Sequence, residues 1–287
     1  MRAQGVTLIA SDRPARPVSW KAFRDGIGAA LRSRLGIWIV PILIIGLWQA
    51  LCSFGLAPAS LLPSPAAVVE AGWRLTLSGE LPQNMAVSFL RASAGLIVGG
   101  AIGFLFGLAN GLSAISEALT DSTLQMVRNI PHLAMIPLVI LWFGIDEGAK
   151  LFLVAMGVFF PIYLNTLHGI RSIDPQLIEM AKSYGMPRFA LFWRIILPGA
   201  LPAIFVGLRY ALGIMWLTLI VAETIAAQSG LGFMAMQARD FMQVDIVVLA
   251  IVIYALLGKV ADSAARFCER KCLSWHPAFQ TPRSIGH

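Results

Sequence analysis

Six stretches of this chain are apolar over close to the roughly 20 residues needed to cross a hydrocarbon core, and that restricts the fold more than any other feature. They lie at residues 36–54, 88–112, 119–143, 148–170, 198–224 and 244–266. In lipid the backbone N–H and C=O groups must be satisfied within the protein, so runs of this length predict helices. The expected fold class is an all-α integral membrane protein with six transmembrane helices. Composition agrees, because 57% of residues are hydrophobic and only 13% charged, against roughly 25% charged in soluble domains.

Lysine and arginine cluster at the ends of these runs. Seven precede residue 36 (Arg2, Arg13, Arg16, Lys21, Arg24, Arg32, Arg34), and Arg171, Lys182, Arg188 and Arg194 lie between the fourth and fifth runs. Arg266, Arg270, Lys271 and Arg283 follow the sixth, whereas the alternate segments hold only Arg74, Lys150 and Arg239. Cytoplasmic loops carry the excess of Lys and Arg, so the chain is expected to be N-in and C-in. This divides it into a basic cytoplasmic tail (1–35), a first transmembrane helix (36–54), a Pro- and Ser-rich extracytoplasmic linker (55–83), a membrane core (84–268) and a cytoplasmic C-terminal tail (269–287). The first run reads as a signal-anchor, since no small-residue cleavage site follows it cleanly. The net charge of +7 is that of a membrane topology, not of a nucleic-acid-binding surface, so no nucleic acid partner is expected.

Gly95, Gly99, Gly103, Gly107 and Gly111 recur every four residues in the second run. Lipid supplies no hydrophobic force between helices, so small residues that permit close backbone approach predict a helix-packing seam. No segment matches the phosphate-binding pattern G-x-x-x-x-G-K-[ST]. Histidines and cysteines are scattered without metal-ligand spacing, so neither a metal site nor a catalytic constellation is expected. The third run contains Arg128, Asn129, Pro131, His132 and Pro137, and prolines this close predict a broken helix. Such breaks are tolerated where they are buried in protein or line a cavity.

The cytoplasmic loop 171–197 is the one long polar insertion in the core. Asp174-Pro175 is a helix start, with a side-chain acceptor at the N-cap and proline at the first helical position. Leu177, Ala181 and Tyr184 fall on one face, with Glu179, Lys182 and Ser183 on the polar side. Gly185 fits a left-handed terminating residue, with Pro187 preventing continuation. A second short helix over 188–196 is expected to lead into Leu197-Pro198 and the fifth run.

The spacing E-x-A-x-x-x-G-x(9)-I-x-L-P, here Glu179, Ala181, Gly185, Ile195, Leu197 and Pro198, resembles the EAA loop of binding-protein-dependent ABC importer permeases. Met180 stands where that family usually has alanine. The resemblance extends over roughly 64–275 and includes RNIPHLAMIPLVILWFGIDE, PIYLNTLHGIRSIDP, GLRYALGIMWLTLIVAETI and SGLGF. It looks most like the nitrate/sulfonate/taurine branch, and within it the aliphatic sulfonate permeases. The resemblance implies a type I importer fold in the bacterial inner membrane. It implies two copies of this chain, two ABC ATPase subunits and an extracytoplasmic substrate-binding protein. ATP and Mg would be held by the partner ATPase, with no cofactor on this chain. Leu177, Glu179, Ala181, Lys182, Tyr184, Gly185 and Pro198 would couple the permease to that ATPase.

Polar residues within spans are candidates for a translocation path. Arg128 and Arg209 could attract an anionic headgroup; Asn129, His132, Asn165 and Glu223 could line or gate the route; Trp216 could wall an alkyl chain. Arg209 could instead form a structural pair with Glu179 or Asp262. Taurine, nitrate or a related small solute is the alternative cargo. An ion-driven secondary transporter would require inverted repeats and paired intramembrane acids, and a membrane enzyme a clustered reactive constellation; none is evident in the sequence.

Overall fold

The computed structural model of the chain describes residues 36–56, 58 and 61–275, with side chains from residue 39 onward. The basic N-terminal tail and the end of the C-terminal tail, including Arg283, lie outside the described residues. Two compact units divide at Ala57 and Pro58. The described part of the first is helix α1 (Gly36–Ser53), an apolar helix with Pro41 inside it. Its 18 residues extend about 27 Å at 1.5 Å per residue, close to the thickness of a hydrocarbon core.

All regular structure in the second unit is helical among the described residues. Four of its helical stretches are long and apolar enough to cross a membrane, and one bent pair adds a fifth. Helix α2 (Pro65–Leu77) is capped by Ser64, whose side chain accepts from the Ala67 N–H. It occupies the segment read from sequence only as a linker. Its Pro at the first helical position and its buried Val68, Ala71 and Leu75 explain why: a short amphipathic stretch forms once it has something to pack on. Helix α3 (Glu80–Leu112) begins eight residues earlier than the apolar run, because its first turns are polar yet still helical.

Helices α3 and α6 (Glu147–Arg171) pack along their length through the glycine seam. A Cβ at Gly103 would lie 2.5 Å from the Phe159 carbonyl oxygen, and one at Gly107 2.6 Å from Thr166 Cβ. Gly95 and Gly99 face Val154 and Ala155 still more closely, and Gly111 meets Ile170. Any side chain at these positions would separate the two backbones.

The third run is two helices. Helix α4 (Ala114–Arg128) and α5 (Ile136–Phe143) meet at 78° across a 3₁₀ turn, His132–Met135. Pro131 and Pro137 sit at this break, where their missing N–H groups leave no helical bond to lose. Helix α4 buries none of its residues. Its attachment is polar: Asn110 donates to Thr120 Oγ1 at 2.8 Å and to the Tyr163 hydroxyl at 3.0 Å, while Ser116 donates back to Asn110 at 2.6 Å. Glu117 and Arg171 pair at the same end. Helix α5 is held differently, by an apolar cluster of Ile136 and Val139 against Ala149, Leu153 and Ala222.

After α6 come α7 (Pro175–Ser183), a single turn α8 (Arg188–Leu191), a widened π turn (Phe192–Ile196) and α9 (Leu197–Ala226). The short helix expected at 188–196 is therefore not separate: Arg188–Ala226 is one continuous stretch of 39 residues. The Leu197 N–H reaches back to the Phe192 carbonyl. This widened turn directly precedes Pro198, whose ring would crowd the Arg194 carbonyl in a regular helix. Helix α10 (Leu231–Asp240), unforeseen from hydropathy, leads into α11 (Val244–Cys272).

Candidate functional site

The polar insertion folds as its end signals require. Asp174 accepts a hydrogen bond from the Gln176 N–H at 2.8 Å, and Pro175 takes the first helical position of α7. At the other end Gly185 has φ +75°. The Gly185 N–H donates to the Lys182 carbonyl at 2.9 Å and the Met186 N–H to the Ala181 carbonyl at 3.1 Å. These are the paired bonds that close a helix through a left-handed residue. The face expected to be shared by Leu177, Ala181 and Tyr184 divides in two. Ala181 is 4% exposed, whereas Leu177, Met180 and Tyr184 are exposed, Tyr184 by 85%. Tyr184 lies past the last helical residue, so the helical spacing no longer fixes its direction. The exposed apolar side chains of α7 and its end are thus Leu177, Met180 and Tyr184, with Glu179 and Lys182 also exposed.

A second constellation lies at the opposite end of the bundle. Glu223, on the last turns of α9, is fully buried and accepts from four donor groups. Ser88 Oγ stands 2.8 Å from both carboxylate oxygens, and Arg91 Nη1 and the Tyr254 hydroxyl are 2.8 Å away. The Gly232 N–H donates at 2.9 Å. Ser88 itself accepts from the Leu231 N–H at 2.8 Å, and Asn84 from the Gly230 N–H at 2.7 Å. The S-G-L-G-F segment therefore owes its glycines to this cluster: Gly230 has φ +107°, and a Cβ there would overlap Glu223 and Arg91. Arg91 also donates to the Ser229 carbonyl and hydroxyl at 2.5 and 2.9 Å and, through two nitrogens, to Glu147 at 2.6 Å each. Lys150 donates to the same Glu147 at 3.0 Å.

The expected path residues do not converge on one chamber. Trp216 is buried edge-on against Tyr254 and Glu223 is enclosed, so neither lines an open route in this conformation. The carboxylate's five hydrogen-bond contacts are the reason: a buried charge is held where its partners are. His132 bonds Thr218 at 3.1 Å across the bent span, and Asn165 donates to the Pro161 carbonyl at 2.8 Å within α6. Arg209 pairs with Asp262 at 3.0 Å and Glu269 at 3.8 Å, not with Glu179. Arg128 and the neighbouring Asn129 are exposed. Arg128 lines a charged cleft of 290 Å³ with Glu117, Asp121, His168 and Arg171. That cleft shares Leu124 and Phe160 with an apolar one of 580 Å³ between α3, α4 and α6. Ser88, Arg91, Glu147, Lys150 and Tyr254 were missed from sequence. Arg91 and Lys150 carried a usable signal, since each is a lone cation near the end of an apolar run.

The described residues thus form a bundle of membrane-length helices closed by a glycine seam, one of them broken, with the short, largely exposed helix α7 between two of the long ones. The chain belongs to the family described as binding-protein-dependent transport system inner membrane component, whose model matches residues 84–273. It is accordingly an inner-membrane permease subunit of an ABC importer, working with a separate ATPase and a substrate-binding protein and holding no ATPase site of its own. It is 57% identical over 246 residues to a protein of Escherichia coli (strain K12) named as an aliphatic sulfonates transport permease protein, SsuC, covering 86% of this chain and 94% of that one. A protein of the same name in Bacillus subtilis (strain 168) is 43% identical, covering 84% and 88%. The taurine transport system permease protein TauC of Escherichia coli (strain K12) is 34% identical, covering 83% and 88%. Among solved structures, the crystal structure of an amino acid ABC transporter with histidines shares the fold, with a TM-score of 0.55 at 17% identity over 69% of this chain and 96% of that one.

Proposed function

We propose that this chain is the translocation subunit of an importer for aliphatic sulfonates, acting as a homodimer on two ATPase subunits. The observation that carries the reading is the 57% identity, nearly end to end, with a relative named for aliphatic sulfonates, against 34% for the taurine relative. In this reading α1 is a sixth span and both termini are cytoplasmic, so that α7 faces the ATPase and the Glu223 cluster the side from which cargo arrives. ATP and Mg act on the partner. Closure of the ATPase pair would push on Leu177, Met180 and Tyr184, and the continuous stretch from Arg188 to Ala226 would carry the displacement into the membrane.

Arg128 is the best placed of the path residues for an anionic headgroup, because its charged cleft adjoins an apolar one suited to an alkyl chain. Arg209, His132, Asn129 and Asn165 remain path candidates of lower standing, each already engaged or turned outward. The test is ATP-dependent uptake of labelled ethanesulfonate into proteoliposomes holding the full importer with its binding protein. Uptake of taurine or nitrate without ethanesulfonate would overturn the assignment of cargo and leave the family untouched.

A further inference from the structure

Glu147 reverses the usual arrangement of a buried ion cluster. Its side chain is 66% exposed, while the two cations it neutralises, Arg91 and Lys150, are 6% and 3% exposed. Both cations converge on one oxygen: Glu147 Oε1 stands 2.6 Å from Arg91 Nη2 and 3.0 Å from Lys150 Nζ. The second carboxylate oxygen takes Arg91 Nε at 2.6 Å. A planar oxyanion thus sits at the mouth of a preformed cationic recess, with solvent on its outer side. The Arg91 half of the recess is built independently of Glu147, because Glu223 and the Ser229 carbonyl and hydroxyl hold the guanidinium. Lys150 is placed by its position on the packed face of α6, with Glu147 as its ion-pair partner.

Glu147 is the first residue of α6, and Gly144, three residues before it, has φ +72°. The carboxylate therefore hangs from a helix end with its outer side in solvent, not inside the packed bundle. Once it leaves, the recess keeps an unpaired positive charge, and an anion that takes its place restores the pairing. Glu223 continues to neutralise one of the two cations, so the vacancy carries a single net positive charge.

We propose that Arg91 and Lys150 form a binding site for monovalent oxyanions, with Glu147 as its tethered resident, displaced when a sulfonate headgroup arrives at the outer end of the bundle. The site rests on the sulfonate reading for its natural ligand but not for its chemistry, which accepts any singly charged oxyanion that can take donors from a guanidinium and an ammonium together. Sulfate, with two charges, would leave the recess overneutralised.

The experiment is a thermal-melting titration of the assembled full-length transporter carrying Glu147→Gln, with sodium methanesulfonate or sodium sulfate at matched ionic strength. Saturable stabilisation by methanesulfonate, about tenfold or more tighter than in the unsubstituted transporter and not matched by sulfate, is expected. Adding Lys150→Gln to that variant should abolish the gain. If Glu147→Gln assembles poorly, methanesulfonate added during purification should restore assembly, because it supplies the missing charge. Absence of both stabilisation and rescue, or equal gains with sulfate, overturns the site. Methanesulfonate binding in the variant alongside a failure of ethanesulfonate uptake in the unsubstituted importer would retain the site and overturn the cargo, whereas the reverse pair would do the opposite.

Discussion

Arg91 and Glu223 stand 132 residues apart in sequence and form an enclosed ion pair 2.8 Å long. Their pairing ties α3 to the end of α9. Through Tyr254 and Gly232 the same carboxylate holds α11 and the start of α10. Such a cluster is weak evidence of added stability as a whole, but removing one member leaves the others buried without a partner.

Glu223→Gln should therefore destabilise the permease strongly, by about 3–5 kcal/mol if the amide leaves the Arg91 charge unmet on that side. A melting curve of the purified permease measures this. A shift no larger than that of an ordinary surface substitution would show that the pair is dispensable.

The glycine seam makes a contrasting pair of predictions. Gly103→Ala places a methyl 2.5 Å from the Phe159 carbonyl oxygen, whereas a methyl at Gly213 meets nothing within 4 Å. The first should cost about 1–3 kcal/mol through overpacking. The second should be neutral or gain about 0.5–1 kcal/mol from helix propensity. Steady-state membrane levels and melting temperature would separate them, and equal behaviour would mean that the seam does not set the spacing of α3 and α6.

Gly185→Pro cannot adopt φ +75°, because proline is confined near −65°. The expected outcome is a chain that still inserts but whose α7 ends in the wrong direction. ATPase activity would then no longer respond to loaded binding protein. Charge reversal at Glu179 should uncouple similarly, and normal stimulated ATPase activity in both variants would sink the coupling role.

Arg209 and Asp262 are each about one-third exposed or less, so their pair should contribute no more than about 1 kcal/mol after solvent screening. Arg209→Ala is expected to lower sulfonate uptake without dissociating the transporter, while Asp262→Asn leaves uptake near normal. Equal losses in both would make the pair itself, not the guanidinium, the important element.

Much of this architecture was legible because its signals are local. The helix start at Asp174-Pro175, the left-handed Gly185, the four-residue glycine spacing and the prolines at the bend each act over a turn or two of chain. Helices α2 and α10 were not legible, since neither is long or apolar enough to stand out and both depend on what they pack against. The Glu223 cluster was hidden for a different reason. It joins Ser88 and Arg91 of α3, Glu147, Ser229 and Tyr254 to Glu223, five separate segments in all, and no spacing within one segment encodes their meeting. The enclosure of Glu223 was not legible because intramembrane polarity marks burial of either kind, in a channel or in a core.

The uninterrupted stretch from Arg188 to Ala226 has a further consequence. At 39 residues it is about 58 Å long, nearly twice a hydrocarbon thickness, and it carries the end of the docking loop at one tip and Glu223 near the other. On the proposed function, binding events at its two ends are coupled through this one helical stretch. Thermodynamic linkage requires that coupling to be reciprocal. Whatever the ATPase does to the affinity of the Glu223 end for its ligand, that ligand must do in equal measure to the permease's grip on the ATPase. Cargo at the outer tip would thus be readable, in free energy, as a change in subunit affinity on the far side of the membrane.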